Sequence, residues 1–477
     1  MVNTASTAAF SAVLLLGCAA ATGRRPPTSS GAPGAPAEGR RATVPTEGLK
    51  EIARAPLGAL SLSKWRLDNG LEVILLPDPH ATAVSYTTWF RVGSRNEDAA
   101  AGETGLAHLF EHLMFMQTKK APPNAFDTEM EAVGGSSNAM TYYDFTAYVD
   151  DLPPTEVQTA VRLEADRMVN LDLRKKQVET ERDVVAEERL STVEDNVDGI
   201  LDELMYQQAF KKHPYRWPVI GLMKDIKAFT QDRAVAFYRK YYAPNNAVIV
   251  VAGRIDEAEM LNLIVGAYGG LDPSKKLPTG DSEPERAPAS EVRTTVTRPV
   301  PADKVVIGFP APALGSADRA AYEVLNEVLA GGPSSRLNRA LVVDRTWASS
   351  VHGDIAPTRD PGLYAVWIQM MKGHTAAEAE RLVMEAVADL IARPLGAAEL
   401  GKAAARLETA FWQQLSSSHG RAETIGMFEI AAGGFQRLLD RGAEYARVTP
   451  ADVQRVAAAY LAGGARSVAV ARPEGSS

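Results

Sequence analysis

The stretch His108-Leu109-Phe110-Glu111-His112 predicts a helix that carries two histidines on one face. Apolar residues recur around it at intervals of three or four, as in a helix with one buried side: Leu106, Leu109, Phe110, Leu113 and Met114. The histidines are four residues apart, so both rings could bind a single zinc ion. Glu111 is close enough to reach a metal-bound water, and H-x-x-E-H is the inverted form of a zinc-hydrolase signature. The simpler alternative is a buried helix whose histidines are only hydrogen-bonded.

A third metal ligand has to come from elsewhere in the chain. A catalytic zinc usually takes three protein ligands and leaves one position for water. The charged segment 177–190 contains neither Gly nor Pro, which predicts a helix with four glutamates: Glu179, Glu181, Glu187 and Glu188. Glu181 and Glu188 are seven residues apart and share a face. Spacing alone does not choose among the four glutamates, and a solvated charged face is the simpler interpretation.

The two motifs together resemble the pitrilysin, insulinase and mitochondrial processing peptidase family of inverzincin zinc peptidases. The zinc motif is followed about seventy residues later by Glu181-Arg182-Asp183-Val184-Val185-Ala186-Glu187-Glu188. Further segments that resemble family landmarks extend the resemblance over roughly residues 60–470: 134–141, 213–215, 241–246 and 331–337. The resemblance implies one Zn²⁺ per chain, bound by His108, His112 and Glu188. It also implies that Glu111 is the general base and that Glu181 is a supporting carboxylate.

The substrate is expected to be a peptide. Residues 134–141 (GGSSNAMT) resemble the glycine-rich turn and edge strand of the family. An extended peptide could add to that edge as a further strand, and the resemblance implies contacts with Asn138, Ala139 and Thr141. An ordinary hairpin is the alternative for this segment. By resemblance, short or unfolded peptides enter a closed chamber from which folded proteins are excluded.

Family members occur as one long chain of two halves or as two separate short chains, and this chain resembles one half. The complementary half usually supplies an Arg and a Tyr that contact the substrate and the oxyanion. Here the matching positions hold Val342 and Ser349, and Arg345 is nearby but out of register. The resemblance therefore implies the metal-bearing subunit of a short bacterial two-subunit enzyme, with a homologous non-zinc subunit or a second copy as its partner.

Two non-catalytic functions remain as alternatives. Some relatives are assembly subunits of membrane complexes, although these typically lose the zinc motif. A peptide-binding envelope scaffold with a structural zinc would need a fourth protein ligand, which His80 or His213 could supply after folding. The formal charge of −8 and the lack of a basic patch argue against nucleic acid as a partner.

The N-terminus predicts export. The single cysteine, Cys18, follows a short apolar run over 8–17 that has the length of a signal peptide and is too short to span a bilayer. Leu15-Leu16-Gly17-Cys18 resembles a bacterial lipoprotein box, so residues 1–18 are expected to be a signal peptide that ends in a lipidated cysteine. A cleaved secretory signal or a short buried segment is the alternative, because no Lys or Arg precedes Arg24.

Residues 19–56 are expected to be a flexible tether, because the stretch after Cys18 is rich in Ala, Gly, Pro, Ser and Thr. A lipidated cysteine followed by a tether would hold the enzyme on the periplasmic side of the cell envelope. Ala19 after the cysteine resembles the sorting signal for the outer membrane. The predicted location is therefore that of an outer-membrane lipoprotein.

The remaining chain predicts an α+β fold of two duplicated mixed α/β roll domains, each an antiparallel-rich sheet covered by helices. The pair Asn69-Gly70 predicts a β-hairpin. The Pro-rich residues 273–291 predict a linker between a zinc-bearing unit, 57–272, and a homologous unit, 292–474. In the second unit, the helix that matches the zinc helix is predicted at 320–330 and has no histidine.

Overall fold

The computed structural model describes residues 43–44, 47–277, 282–283, 285 and 290–475. The predicted signal peptide, Cys18 and most of the predicted tether lie outside the described residues. Part of the predicted linker lies outside them as well. Within the described residues, no helix combines the length and the apolarity needed to cross a bilayer.

The first sheet contains seven strands in the order β1-β2-β3-β7-β4-β6-β5. These strands are β1 Leu49–Leu57, β2 Leu60–Leu67, β3 Glu72–Pro77, β4 Val84–Phe90, β5 Ser136–Thr141, β6 Thr146–Leu152 and β7 Ala247–Gly253. Strands β4 and β7 are buried throughout and occupy the middle of the sheet, whereas β5 alternates between exposed and half-buried residues at one edge. The edge position that the sequence predicted for residues 138–141 is confirmed.

The predicted hairpin joins β2 to β3. Leu67 and Leu71 face each other across the turn, where the Leu67 N–H donates to the Leu71 carbonyl oxygen at 2.9 Å. The loop has three residues rather than two, and Gly70 takes the positive φ of +89° that this turn requires.

The predicted tether is wrong over residues 49–56, because these residues form most of strand β1. Strand β1 pairs with β2 in antiparallel register from Leu49–Leu67 to Leu57–Leu60. Charged and small residues dominate β1, and this composition fits an edge strand with one solvated face. The sequence interpretation missed it because β1 lacks the run of large apolar residues that marks an interior strand.

The first half also contains helices, most of which share a core with the first sheet. They are α1 Leu106–Leu113, α2 Ala125–Ala132, α3 Val157–Asn170, α4 Lys175–Arg189, α5 Val197–Ala209, α6 Met223–Ile226, α7 Gln231–Tyr241 and α8 Glu257–Tyr268. Helix α1 is the predicted zinc helix, and its apolar side lies in a continuous core with strands β3, β4 and β7. The helix predicted over 177–190 is observed as α4, which ends at Arg189 and continues as a π-helical turn, Leu190–Glu194.

The second sheet has five strands in the order β10-β11-β9-β12-β8. These strands are β8 Val292–Thr297, β9 Lys304–Ala311, β10 Ala348–Ile355, β11 Gly362–Met370 and β12 Ser467–Arg472. The accompanying helices are α9 Arg319–Leu329, α10 Ala376–Ala392, α11 Ala397–Gln414, α12 Ser418–Ala431, α13 Gln436–Leu439, α14 Arg441–Arg447 and α15 Pro450–Tyr460. Helix α9 follows strand β9 as α1 follows β4, and two mixed α/β units with helix-covered sheets are confirmed.

Each half contributes one helix to the other half. Helix α5, which precedes the linker, packs on strands β12, β9 and β8 of the second sheet, and Gly308 makes room there for the side chain of Met205. Helix α12, which follows the linker, packs on β7, β4 and β6 of the first sheet. The apolar cluster beneath α12 combines residues of both halves, among them Trp89, Val250, Ile425 and Phe428. The two units that follow each other along the chain are therefore joined into one structure, because each sheet packs against a helix from the other half.

Candidate metal centre

A buried carboxylate fixes the start of the zinc helix. The N–H groups at the N-terminus of α1 have no partner within the helix, and Glu97 accepts hydrogen bonds from those of Gly105 (2.9 Å) and Ala107 (2.8 Å). Gly105 has a φ of +96°, and a β-carbon there would lie 2.5 Å from the carbonyl oxygen of Ile220. Only glycine fits this position without displacing the neighbouring loop. The helix thus begins at a place determined by long-range contacts.

Two buried tyrosines contact helix α1 on the face opposite to its histidines. The hydroxyl of Tyr148 on β6 donates to the carbonyl oxygen of Phe110 at 3.1 Å and lies 3.1 Å from the hydroxyl of Tyr242. The ring of Phe110 packs against that of Tyr242, with ring centroids 5.1 Å apart. These contacts leave the opposite face of α1, with His108, Glu111 and His112, toward α4.

The two histidines and one glutamate of α4 converge as a candidate zinc site. His108 Nε2 lies 3.6 Å from one carboxylate oxygen of Glu188, and His112 Nε2 lies 3.4 Å from the other. The ligand atoms of these three residues lie within 4.8 Å of one another. Zinc bonds of roughly 2.0–2.1 Å in a tetrahedron place two ligand atoms about 3.3 Å apart, so the donor set and its spacing fit Zn²⁺. Among the described residues, this is the group identified as able to hold a metal ion.

The charges in the cluster are strongly coupled. Burial lowers the pKa of His112, but hydrogen bonds with Glu181 and Glu188 outweigh burial and raise the pKa to about 9. Burial raises the pKa of Glu188, yet its contact with His112 and the charges of both histidines leave it below its ordinary value. Burial lowers the pKa of His108. A metal ion that binds at neutral pH must therefore displace a proton from His112.

Glu181 contacts His112 on the side of the ring that faces away from Glu188. Its carboxylate lies 3.6 Å from His112 Nδ1, the ring nitrogen that faces away from Glu188. A carboxylate at this nitrogen orients the imidazole and raises its basicity as a metal ligand. Glu181 lies within reach of this nitrogen, and its supporting role stays a prediction. The corresponding Nδ1 of His108 is buried and has no hydrogen-bond partner among the described residues.

Glu111 lies on α1 beside both histidines, and its negative charge favours the protonated form of each. Its side chain is half-buried, so water can reach it. Of the four glutamates on the charged helix, Glu187 is exposed, and the structure directs Glu181 and Glu188 toward His112. Tertiary contact thus makes the choice that the spacing left open.

The predicted substrate strand lies beside the cluster. Helix α1 packs against β5, which pairs with β6 on one side only. Asn138 is exposed, and its Oδ1 accepts a hydrogen bond from the N–H of Ala139 at 2.9 Å. The hydroxyl oxygen of Thr141 is buried and has no partner among the described residues. Ser137 anchors the strand to Asp150 through a hydrogen bond of 2.6 Å.

The other residues named from the sequence lie away from the cluster. His213 Nε2 is 3.1 Å from Asp360, at the contact between the two halves, and His80 lies in the turn after β3. Neither belongs to the metal group that the described residues form. Ser349 lies on the edge strand β10, and its hydroxyl donates to the Gln369 carbonyl oxygen at 3.3 Å.

Val342 and Arg345 lie near this edge. Val342 packs, half-buried, against the second core, and Arg345 lies over the ring of Trp347 at 5.5 Å. Positions 342 and 349 hold valine and serine, so the arginine and tyrosine pair is not present there.

Sequence reasoning missed several residues that build the site, above all Glu97, Tyr148 and Arg189. Each is buried and polar, and each acts through partners distant in the chain. Tyr242 falls in a segment, 241–246, that the resemblance had marked, although without a role. No local pattern signals the others.

Comparison with known proteins finds matches over most of the chain. Residues 72–221 match the family described as Insulinase (Peptidase family M16), and residues 228–407 match the domain described as Peptidase M16 inactive domain. A zinc protease of Helicobacter pylori is 30% identical over 403 residues, which cover 83% of this chain and 89% of the relative. A Mycobacterium tuberculosis protein named as an uncharacterized zinc protease is 29% identical over 424 residues, with coverages of 88% and 95%.

Solved structures share the fold. A protease from Helicobacter pylori matches with a TM-score of 0.83 at 27% identity, covering 86% of this chain and 99% of that one. A peptidase M16 inactive domain from Pseudomonas fluorescens matches with a TM-score of 0.79 at 16% identity, covering 86% and 98%, and shows the shared fold alone. The resemblance drawn from the zinc motif is confirmed, and the chain belongs to the insulinase family of zinc peptidases, peptidase family M16.

Proposed function

We propose that this protein is a zinc-dependent endopeptidase that hydrolyses short or unfolded peptides. The observation that carries the proposal is the convergence of His108, His112 and Glu188, with Nε2-to-carboxylate distances of 3.6 and 3.4 Å, beside a free carboxylate on the same helix, Glu111. Relatives that are named zinc proteases support it. A structural zinc is usually closed by four protein ligands, whereas three ligands leave a position open for chemistry.

The chain supplies binding, orientation and proton transfer. Zn²⁺ held by His108, His112 and Glu188 would supply Lewis-acid polarisation of the scissile carbonyl. Glu181 keeps the ring of His112 oriented toward Glu188. The Glu111 carboxylate accepts the proton of the attacking water and later donates it to the leaving nitrogen of the cleaved bond.

The substrate binds as a strand added to β5. Because β5 has a neighbour on one side only, alternate backbone N–H and C=O groups along it are open to an extended peptide. The Asn138 side chain now holds the N–H of Ala139 and would exchange that bond for one with the substrate. Main-chain pairing makes few demands on side chains, so an unfolded segment of almost any sequence fits, while a folded protein offers few extended segments with unpaired backbone groups.

We propose further that catalysis is completed by a partner, a homologous subunit without the zinc motif, because a second copy of the chain would hold the same Val342 and Ser349. The positions that would carry the complementary Arg and Tyr hold Val342 and Ser349. A subunit that lacks these groups needs them from another chain to stabilise the oxyanion. Cleavage by the purified chain alone, at the rate reached with a partner, would contradict this part of the proposal.

The envelope location is also a proposal. It rests on the apolar run and the Leu15-Leu16-Gly17-Cys18 pattern. Lipidation would attach a lipid that partitions the protein into the membrane fraction. In cells, Cys18→Ala should move the protein from that fraction to the soluble one, and an unchanged distribution would contradict lipidation at Cys18.

The test of the enzymatic proposal combines metal content with cleavage of a quenched unstructured peptide. We compare wild type, Glu111→Gln and Glu187→Gln, each with and without a homologous subunit that lacks the zinc motif. About one zinc per chain in all three, with loss of cleavage in Glu111→Gln alone, is expected, because exposed Glu187 is a matched carboxylate outside the cluster. Bound zinc without cleavage under any pairing would indicate a scaffold, and absence of metal would contradict the site itself.

A further inference from the structure

Arg189, the residue that follows the third candidate ligand, is buried and donates hydrogen bonds in two directions. Its Nη1 donates to the carbonyl oxygen of Gly221 at 2.7 Å, and its Nη2 donates to Glu203 Oε2 at 2.7 Å. The residue is 5% exposed. Its Nε also lies 3.4 Å from a carboxylate oxygen of Glu194 in the π-helical turn. A buried guanidinium is costly unless it is paired, so these contacts account for its place beside Glu188.

The first partner connects Arg189 to the helix that carries the two histidines. Gly221 and Gly105 press together so closely that a β-carbon at Gly221 would lie 2.3 Å from the Thr104 carbonyl oxygen. Leu222 donates its N–H to Thr104 Oγ1 at 3.0 Å, and Thr104 Oγ1 in turn donates to Asp225. The loop that accepts the bond from Arg189 is therefore fixed to the N-terminus of α1.

The second partner connects Arg189 to α5. Glu203 lies on this helix, which packs on the second sheet. Helix α5 also crosses the π-helical turn closely, because a β-carbon at Gly199 would lie 2.1 Å from the Thr192 carbonyl oxygen. The hydroxyls of Ser191 and Thr192 donate to the Glu188 carbonyl oxygen, at 3.0 and 2.8 Å. The backbone around Glu188 is thus fastened on both sides, and Arg189 makes the link that reaches α1.

We propose that Arg189 is a positioning residue that sets the distance between Glu188 and the two histidines. The guanidinium suits this task because its rigid fork donates along two directions at once, to a carbonyl of the α1 loop and to a carboxylate of α5. Removing the fork takes this donor from the Gly221 carbonyl oxygen and leaves Glu203 with its hydrogen bond from Gln207, at 2.8 Å. Helix α4 is then free to shift or rotate against α1. Sub-ångström displacement of one ligand is enough to weaken a three-ligand zinc site. The inference rests on the proposed metal site.

The test measures zinc affinity by competition with a chelator, for wild type, Arg189→Lys and Arg189→Met. Arg319→Met is the matched control, because Arg319 is also buried, 3% exposed, and donates to a glutamate and to backbone carbonyl oxygens, but in the second half. We expect Arg189→Met to raise the zinc Kd at least about tenfold, the range found when a partner of a metal ligand is lost. The zinc Kd of Arg189→Lys should lie between those of wild type and Arg189→Met, since a lysine cannot make both bonds. Arg319→Met should bind zinc like wild type.

Absorption of the Co²⁺-substituted proteins supplies a readout that a loss of stability would not change. A displaced Glu188 should alter the visible spectrum in Arg189→Met and leave it unchanged in Arg319→Met. If Arg189→Met does not fold, Glu203→Gln removes the charge of one acceptor, weakens that bond, and should shift the zinc Kd in the same direction. Wild-type affinity in Arg189→Met or in Glu203→Gln, or equal weakening in Arg319→Met, would overturn the proposal. Failure of wild type to bind zinc would instead overturn the metal site.

Discussion

Gly426 lies directly against the indole of Trp89, so that a β-carbon at position 426 would come within 2.1 Å of Trp89 Cε2. Gly426 belongs to α12, which follows the linker, and Trp89 belongs to β4 in the middle of the first sheet. The contact shows that the second half supplies part of the core on which the zinc-bearing sheet rests. The three candidate metal ligands all lie in the first half.

Gly426→Ala should destabilise the protein by about 1–3 kcal/mol, because a methyl group at this place forces either the indole or helix α12 to move. Denaturant unfolding monitored by tryptophan fluorescence measures the change in the free energy of unfolding. Gly401→Ala is the control, since position 401 is an exposed helical site with nothing within 4 Å of the added carbon. That control should be neutral or stabilising by about 0.5–1 kcal/mol, and equal effects of both substitutions would contradict the packing argument.

Zinc removal should lower the melting temperature of the wild type. A ligand that binds the folded state alone stabilises it by RT ln(1 + [L]/Kd), about 2.7 kcal/mol at a hundredfold excess over Kd. Differential scanning fluorimetry with and without a chelator measures the shift. His108→Ala should lose the shift, because one of three ligands is gone, whereas Glu111→Gln should keep it. A chelator shift retained in His108→Ala would place the metal elsewhere.

Peptide substrates methylated on one backbone nitrogen at a time should show an alternating pattern. A peptide added to β5 points every second N–H toward that strand, so methylation at those positions should raise KM and methylation at the positions between them should not. Steady-state kinetics on a methylation series measures the pattern. A uniform effect along the peptide, or an effect at the scissile bond only, would contradict binding as an added strand.

Asp202→Asn should stabilise the protein above neutral pH. Asp202 lies on α5, and burial, together with Asp354 on β10 and Glu203, raises its pKa to about 7. In the unfolded chain the pKa is about 3.9, so the folded state holds a proton that the unfolded state has lost, and stability falls as pH rises from about 4 to about 7. Further charged groups face this pair from the neighbouring elements: Arg319 and His352 near Asp354, and Lys304 paired with Asp198.

Asparagine removes the charge. The stabilisation of the protein by Asp202→Asn should therefore be on the order of 2 kcal/mol at pH 8 and should vanish near pH 4. Urea unfolding of both proteins at several pH values measures the difference. Asp198→Asn is the control, because Asp198 is paired with Lys304 and lies on the same helix. A gain that does not depend on pH would show that the effect comes from packing and not from the Asp202 charge.

The edge strand illustrates where sequence interpretation fails. The sequence predicts a tether that includes residues 49–56, whose charged and small side chains carry no apolar run, yet these residues pair with β2 along their length. Edge strands with one solvated face have little hydrophobic signal, since backbone hydrogen bonds rather than burial hold them. The zinc helix was predictable because its signal is local: two histidines and a buried stripe at helical spacing.

The sequence by itself determined which side chains could meet at the metal. Histidines four residues apart on an amphipathic helix share a face wherever that helix lies, because helical geometry depends on local backbone bonds alone. Only the tertiary structure chose Glu188 among four glutamates, placed Glu97 at the start of α1, and brought Arg189 to Gly221. These contacts join residues far apart in the chain, and their energies depend on burial and distance, which the order of residues does not record. The same holds for α5 and α12, whose apolar faces match sheets in the opposite half because that is where packing buries them.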